Sequence, residues 1–188
     1  MARVEGYTLC MEGLSAPAER PASLVAPGIV LGLGLGGFVD GIVLHQIAQW
    51  HNMLSSTDRW PATTLEGMER NMLADGLFHA ATWILVVLGL WLRWKARREA
   101  RQASGWELVG WMLAGWGIFN LVEGVIDHQL LGIHHVRGES LAWDLSFLAF
   151  GAALCIGGLL LARGHRQALG RGSSRALEPR PSFPPRIR

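Results

Sequence analysis

Acidic and histidine residues recur near one end of each of four apolar segments. Burying such residues costs free energy, so their presence there indicates a function. The first segment ends in DGIVLHQIAQWH (40–51) and the second begins with NMLADGLFHAATW (71–83). The third ends in EGVIDHQLLGIHH (123–135), and the fourth begins with WDLSF (143–147). Imidazole and carboxylate groups together suit Zn, Fe or Mn, and helical bundles build such sites from inward-facing side chains. The residue types therefore predict a polar site, and a metal centre is the first interpretation of it.

Six of these side chains are candidate metal ligands: His45, Asp75, His79, His128, Asp144 and Asp40. Asp75 and His79 are four residues apart, which places them on one face of a helix. Glu123 and Asp127 have the same spacing, and we expect these two carboxylates to supply acid–base catalysis beside the metal.

Helix geometry limits which of the polar residues can bind the same ion. In a straight α-helix, His45 lies ~140° around the axis from Asp40, so this pair need not chelate one ion. His51 shares a face with Asp40 but lies ~16 Å along the axis, which is too far for one ion. His51, His134 and His135 are therefore predicted to form an outer tier, at a mouth or a second site.

The composition is typical of a membrane protein. The 188 residues are 50% hydrophobic and 17% charged, with nine Trp. Four apolar segments, at 24–50, 71–94, 106–131 and 141–162, are each long enough to cross a hydrocarbon layer of ~30 Å. We expect an all-α fold with a four-helix transmembrane domain at 24–163, a disordered tail at 1–23 and a disordered basic tail at 164–188. Cys10 and Cys155 lie in different contexts, which argues against a disulfide or a cysteine metal site.

Lys and Arg residues are distributed unevenly between the two sides of the predicted bundle. Fourteen of the seventeen lie on the side of the bundle shared by both termini, and the other three are Arg59, Arg70 and Arg137. By the positive-inside rule, both termini of this multi-pass protein are cytoplasmic, and the polar site lies in the exoplasmic half. No nucleic-acid motif is found, so the lipid bilayer rather than nucleic acid is the expected partner.

Two parts of the chain are similar to each other. DGIVLHQIAQWH (40–51) aligns with EGVIDHQLLGIH (123–134), with identical Gly, His, Gln and final His positions. Gly32 and Gly34 align upstream with Gly115 and Gly117, and ADGLF (74–78) aligns downstream with WDLSF (143–147). The pattern predicts two helical hairpins of the same orientation. They would form a parallel repeat whose matched polar groups face each other across an axis along the membrane normal.

The segments GFVDGIVLHQIAQWH, NMLADGLFHAATW, NLVEGVIDHQLLGIHHVR and WDLSFLAFGA together resemble an uncharacterised bacterial family of four-helix membrane proteins, a domain of unknown function. The resemblance covers about residues 26–162 and implies the bacterial cytoplasmic (inner) membrane. Members encoded near respiratory-oxidase assembly factors make those factors candidate partners and keep copper or haem handling open. A weaker likeness, to intramembrane zinc amidases of the alkaline ceramidase type, rests on His and Asp joined across helices. The seven helices and Ser-containing motif of those enzymes have no match here.

Three functions remain open on these observations. The first is a metal-dependent membrane hydrolase or oxidase acting on a lipid-like or small apolar substrate, with Zn or Fe as the favoured divalent metal. The second is metal handling, for which Met53, Met68 and Met72 offer soft ligands to Cu. The third is haem binding or proton-coupled transport, with His45 opposite His128. The sequence leaves open whether the protein is an oligomer.

Overall fold

The computed structural model describes residues 23–97, 104–138 and 140–176. Almost all of the tail predicted at 1–23 lies outside the described residues, as do residues 98–103, 139 and 177–188. Four α-helices follow one another: α1 at Val25–Val39, α2 at Leu65–Ala96, α3 at Gly105–Glu123 and α4 at Leu141–Ala176. Helices α1 and α3 continue directly as π-helices, π1 at Asp40–Ile47 and π2 at Gly124–Leu130.

Each of the four helical segments is long and apolar enough to cross a membrane. The spans are Val25–Ile47, Leu65–Ala96, Gly105–Leu130 and Leu141–His165. The described part of the chain contains no β-strand. The prediction of an all-α fold with four candidate membrane spans is therefore confirmed.

Two helix boundaries differ from the prediction. Helix α2 begins at Leu65 rather than at residue 71, because Thr64 caps it: the Thr64 hydroxyl accepts a hydrogen bond from the Gly67 amide (3.1 Å). Helix α4 ends at Ala176 rather than at residue 162. Residues 164–176 are thus helical where disorder was predicted, and no proline occurs between residue 141 and Pro179.

Helices α1 and α3 form the centre of the bundle. Helix α1 packs between α2 and α3, and α4 packs against the other side of α3. Glycines allow the two central helices to approach closely, since a Cβ atom at Gly32 would lie only 2.8 Å from the Cα atom of Gly115. The ends of α1 and α3, with their π-helical extensions, therefore meet at the same end of the bundle.

Helices α2 and α4 flank this central pair and expose most of their apolar surface. Only 17% of the most apolar stretch of each is buried within the bundle. Exposed side chains include Leu77, Trp83 and Leu90 on α2 and Leu145, Ile156 and Leu160 on α4. Such continuous apolar faces match the hydrocarbon of a bilayer.

Candidate metal centre

Six ligand-type side chains converge where α1 and α3 pass into their π-helices. They come from π1 and the residues after it, and from the end of α3, π2 and the residues after π2. None is more than 5% exposed. We refer to these six as the His/carboxylate cluster: Asp40, His45, His51, Glu123, His128 and His134.

The π-helix brings Asp40 and His45 together. A π-helix closes its turn with bonds from residue i to residue i+5, as in the bond from the Ala48 amide to the Val43 carbonyl (2.8 Å). Residues five apart then stack on one face, and His45 Nε2 lies 3.2 Å from Asp40 Oδ2. The expectation of a ~140° separation does not hold, because it assumed α-helical geometry.

Chain reversals after both π-helices bring His51 and His134 into the cluster. Gln49 (φ 51°) and Gly132 (φ 57°) adopt the left-handed conformation, which turns the chain back towards the bundle. The His51 ring lies 4.5 Å from that of His45, and 4.9 Å from that of His134, on which it stacks. The outer tier predicted for His51 and His134 is therefore wrong in position, since it assumed a helix continuing straight past residue 47.

His135, the third residue of the predicted outer tier, faces away from the cluster. Its Nδ1–H donates to Asp144 Oδ2 (2.7 Å), and its side chain is partly exposed. The adjacent Val136 amide donates to Asp144 Oδ1 (3.0 Å). His135 therefore helps to hold the loop after π2 onto the start of α4.

Asp75 and Asp144, predicted as ligands, lie one layer behind the cluster. Asp75 Oδ1 accepts from His45 Nδ1 (3.1 Å) and from the Met53 amide (2.9 Å), and its Oδ2 accepts from Asn52 Nδ2 (2.7 Å). Asp144 Oδ1 lies 3.6 Å from His128 Nδ1. These carboxylates are placed to orient the cluster histidines and to fix the loops, as partners of metal-bound histidines commonly do.

His79 and Asp127 lie outside the cluster. His79 Nδ1–H donates to the Asp75 carbonyl one turn earlier (2.7 Å), and its ring lies near those of Phe38 and Phe78. The side chain of Asp127 is partly exposed and makes no hydrogen bond within the described part of the chain. Glu123, predicted with Asp127 as an acid–base group, belongs to the cluster instead.

Sequence reasoning missed two buried asparagines. Asn71 accepts from the Leu54 amide and donates to the Trp60 carbonyl, both at 2.9 Å, and so fixes the loop between π1 and α2. Asn120 is buried one turn before Glu123, and its Oδ1 has no hydrogen-bond partner in the described residues. Burying an unpaired amide side chain in an apolar span costs free energy. The presence of an asparagine within the third apolar segment was therefore the signal that could have identified Asn120.

Two histidines of the cluster lie outside the membrane spans, and both are neutral at pH 7. Burial is the largest cause that lowers the pKa of His51, to about 4. Burial is also the largest cause of the lowered pKa of His134, and His51 is the next. His51 Nδ1–H donates to the Val136 carbonyl (2.8 Å), which leaves its Nε2 lone pair free.

The cluster contains three overlapping groups that could hold a metal ion, in each of which the ligand atoms lie within 4.8 Å of one another. They are His45, His51 and His134; Glu123, His128 and His134; and Asp40, His45 and Glu123. Neutral imidazoles and carboxylates at this spacing suit a borderline divalent ion.

A family model matches most of the chain and agrees with the fold. Comparisons with curated proteins and with solved structures found no match. A family described as "Predicted membrane protein (DUF2243)" matches residues 27–165, which include every cluster residue and the four membrane spans except the first two residues of the first span. The chain therefore belongs to this DUF2243 family of membrane proteins.

Proposed function

We propose that this protein is a metal-dependent membrane enzyme whose metal is held by the His/carboxylate cluster. One observation carries the proposal. Both oxygens of Asp40 and of Glu123, and at least one ring nitrogen of each cluster histidine, are buried with no hydrogen-bond partner in the described residues. Leaving one buried polar group unpaired costs about 1–3 kcal/mol, and more for a charged group. Several such groups facing one another need protons or a shared metal ion, and ligand atoms within 4.8 Å of one another favour the metal.

The geometry around His45 shows why a cation belongs there. Because a carboxylate can only accept, the Nδ1–H of His45 is committed to Asp75, and in a neutral ring the Nε2 lone pair then faces Asp40 Oδ2 at 3.2 Å. Two acceptors at this distance repel unless a proton or a metal ion lies between them. His134 Nε2 and Glu123 Oε1, 3.5 Å apart, repeat this arrangement.

The donor set favours Zn or Fe over Cu(I). All ligand atoms of the cluster are nitrogen or oxygen, whereas Cu(I) prefers sulfur. Met68 and Met72 are 50% and 68% exposed on α2, so their thioethers face away from the bundle interior. When bound, a metal of this class would polarise an oxygen of water or substrate, and Asp40 and Glu123 are the cluster carboxylates that would accept a proton.

Enzyme function is supported over metal handling by the environment of the cluster. The ligands are enclosed, and the side chain of Asp40 lines an apolar pocket. Haem is disfavoured, because the His45 and His128 rings each lie within 6 Å of the His134 ring, which leaves no room for a porphyrin between them. A proton relay through the same residues is the remaining alternative, since protons would also satisfy the unpaired atoms.

We also infer that the two hairpins are an internal repeat. Gly34 of α1 packs against Val86 of α2, and the aligned Gly117 of α3 packs in the same way against Cys155 of α4. The two π-helices cover aligned positions, and both are followed by a residue with positive φ. These matched contacts support an axis that passes between α1 and α3, through the cluster.

The proposed location is the bacterial inner membrane, with the cluster in the exoplasmic half. Support comes from the positions of the cationic residues. Arg93, Lys95 and Arg97 at the end of α2, and Arg163 late in α4, lie at the opposite end of the bundle from the cluster. The positive-inside rule then places that basic end in the cytoplasm.

Metal content of the protein purified in detergent without chelator tests the proposal. We expect stoichiometric Zn or Fe in the wild type and loss of most of it in His45→Ala and in His128→Ala. His79→Ala is the matched control, because His79 lies at the same end of the bundle but outside the cluster, and it should keep its metal. Wild-type protein without stoichiometric metal would contradict the proposal and favour the proton relay. Rapid transfer of the metal to a mild chelator would indicate handling rather than catalysis.

A further inference from the structure

An apolar pocket lies beside the cluster, between α1, α3 and α4. Its volume is about 270 Å³. Five of its twelve lining residues are aromatic: Trp50, Trp116, Trp143, Phe147 and Phe150. Three of these lining side chains, Trp50, Trp143 and Phe150, are also 36–51% exposed on the outside of the bundle. The pocket therefore reaches the surface of the bundle, at the depth of the cluster.

Two polar side chains in this apolar lining lack partners. Asp40 belongs both to the pocket wall and to the cluster, and Asn120 lies on α3. Both are at least 95% buried, and both oxygens of Asp40 and the Oδ1 of Asn120 have no hydrogen-bond partner in the described residues. An apolar cavity with a few convergent polar groups is the usual form of a small-molecule site. Here the unpaired groups are acceptors, so the fitting ligand brings a donor.

The corresponding face of the first hairpin is closed. Gly37 aligns with Asn120, and a Cβ atom there would meet the methyl of Thr82 and the rings of Phe119 (3.2 Å) and Phe78 (3.3 Å). The pocket therefore belongs to one side of the cluster, although the cluster draws ligands from both hairpins. A reacting site needs one open side, whereas a purely structural cluster does not.

We propose that this pocket binds the substrate, a membrane-soluble amphiphile with an aliphatic or aromatic body and a hydroxyl head. The inference rests on the proposed function and names the substrate class of the same site. The body lies among the aromatic walls, and the hydroxyl donates to Asp40 or Asn120. The hydroxyl oxygen keeps its lone pairs, so it can also face the metal position beside Asp40. Entry is lateral, from the lipid phase.

Tryptophan fluorescence can report the binding, because Trp50, Trp116 and Trp143 line the pocket. The probe is bromoundecanol, a long-chain alcohol whose bromine quenches tryptophan on contact, titrated into the full chain in lipid nanodiscs. Bromoundecane, which lacks the hydroxyl, reports simple partitioning into lipid. We expect saturable quenching by the alcohol above the partitioning level. If bromoundecanol and bromoundecane quench equally and neither curve saturates, the inference is overturned.

Two variants and a matched control test the location. Ser146→Phe fills the pocket and is expected to weaken alcohol binding roughly tenfold or more, as overpacking implies. Leu77→Phe is the control, since Leu77 aligns with Ser146 but is 64% exposed on α2, outside the pocket. Asn120→Leu keeps the size of the side chain and should weaken binding roughly two- to tenfold, the value of one net hydrogen bond. Equal weakening by Ser146→Phe and Leu77→Phe would overturn the inference.

Metal analysis of the same samples separates this inference from the proposed function. Stoichiometric metal without saturable quenching would overturn the pocket assignment and leave the metal centre standing. Saturable quenching without metal would overturn the proposed function, and with it the claim that the bound alcohol is a substrate of a metal centre.

Discussion

Two of the cluster histidines are held in one orientation by the hydrogen bond at their Nδ1 atom. His45 uses Nδ1 to bond Asp75, and His51 uses Nδ1 to bond the Val136 carbonyl. In both rings the Nε2 atom is left buried and unpaired. A fixed tautomer with a free Nε2 atom is what a metal ligand requires, and the partner at Nδ1 usually contributes to the affinity.

Removing the charge of such a partner should therefore weaken metal binding. We expect Asp75→Asn and Asp144→Asn each to lower metal affinity by about 10- to 100-fold, because the cluster histidine next to each loses the negative charge of its neighbour. Competition with a chelator of known affinity provides the measurement. Asp127→Asn makes the same chemical change at the same end of the bundle, outside these contacts, and should bind metal like the wild type. Wild-type affinity in both Asp75→Asn and Asp144→Asn would contradict the orienting role.

The lowered pKa of His51 predicts a pH dependence of the metal-free protein. In the folded protein, His51 has a pKa of about 4 and stays neutral above that pH. In the unfolded chain, it takes up a proton near pH 6.5. The unfolded state thus binds more protons between these values, so the free energy of unfolding falls as the pH falls through this window. The full effect is up to about 3 kcal/mol.

Comparison with His51→Gln isolates this contribution, since carboxylates also titrate in the lower part of the window. Denaturant titrations in detergent at pH 7 and pH 4.5, with chelator present, should show a smaller loss of stability in the variant. An equal loss in both proteins would show that His51 is not a buried neutral group.

At the scale of the elements, π1 and π2 and the reversals that follow them build the site. π1 contains Asp40 and His45, five residues apart, and π2 follows directly after Glu123 and contains His128, again five residues later. Each reversal returns a second histidine to the cluster. The reversal after π1 uses Gln49, a residue that tolerates positive φ poorly, whereas that after π2 uses Gly132. The first reversal is therefore strained and the second is not.

Exchanging residue types at the two reversals should shift stability in opposite directions. We expect Gly132→Ala to lower the free energy of unfolding by about 1 kcal/mol, since a Cβ atom there meets no neighbour and only the backbone conformation opposes it. Gln49→Gly should raise it by a few tenths to about 1 kcal/mol by relieving the same strain. Thermal unfolding in detergent measures both. A destabilised Gln49→Gly protein would indicate that the Gln49 side chain contributes more than its backbone costs.

At the scale of the whole molecule, the polar cluster lies at one end of the bundle and a group of cationic residues lies at the other. α1 and α3 run towards the cluster, and α2 and α4 run away from it, so the loops 48–64 and 131–140 cover one end. Arg93, Lys95 and Arg97 lie at the other end. This polarity underlies the proposed orientation in the membrane.

Cysteine labelling in intact cells tests that orientation. In a background with Cys10 and Cys155 replaced by Ser, Ser56→Cys should react with a membrane-impermeant thiol reagent, because Ser56 is exposed in the loop at the cluster end. Arg97→Cys, exposed at the opposite end, should react only after the cells are permeabilised. The reverse pattern would place the cluster on the cytoplasmic side.

The sequence by itself determined the four apolar spans and the depth at which the ionisable residues collect. Both follow from local composition, because a span needs a run of apolar residues and a buried His or Asp stands out within it. Similarity between the two halves also aligned His45 with His128 and Asp75 with Asp144. The alignment did not predict the roles of the two aspartates, because an aspartate near the start of a helix can either bind a metal or orient a histidine that binds it.

Only the tertiary structure decided which of these residues meet. The switch from α- to π-helix at Asp40 and the reversals at Gln49 and Gly132 depend on contacts between distant parts of the chain. The Ser56 amide bonds the Ile133 carbonyl (3.1 Å), and His51 bonds Val136 across the two hairpins. Local periodicity carries no information on such bonds, so a straight-helix prediction placed His51 and His134 outside a cluster that they help to form.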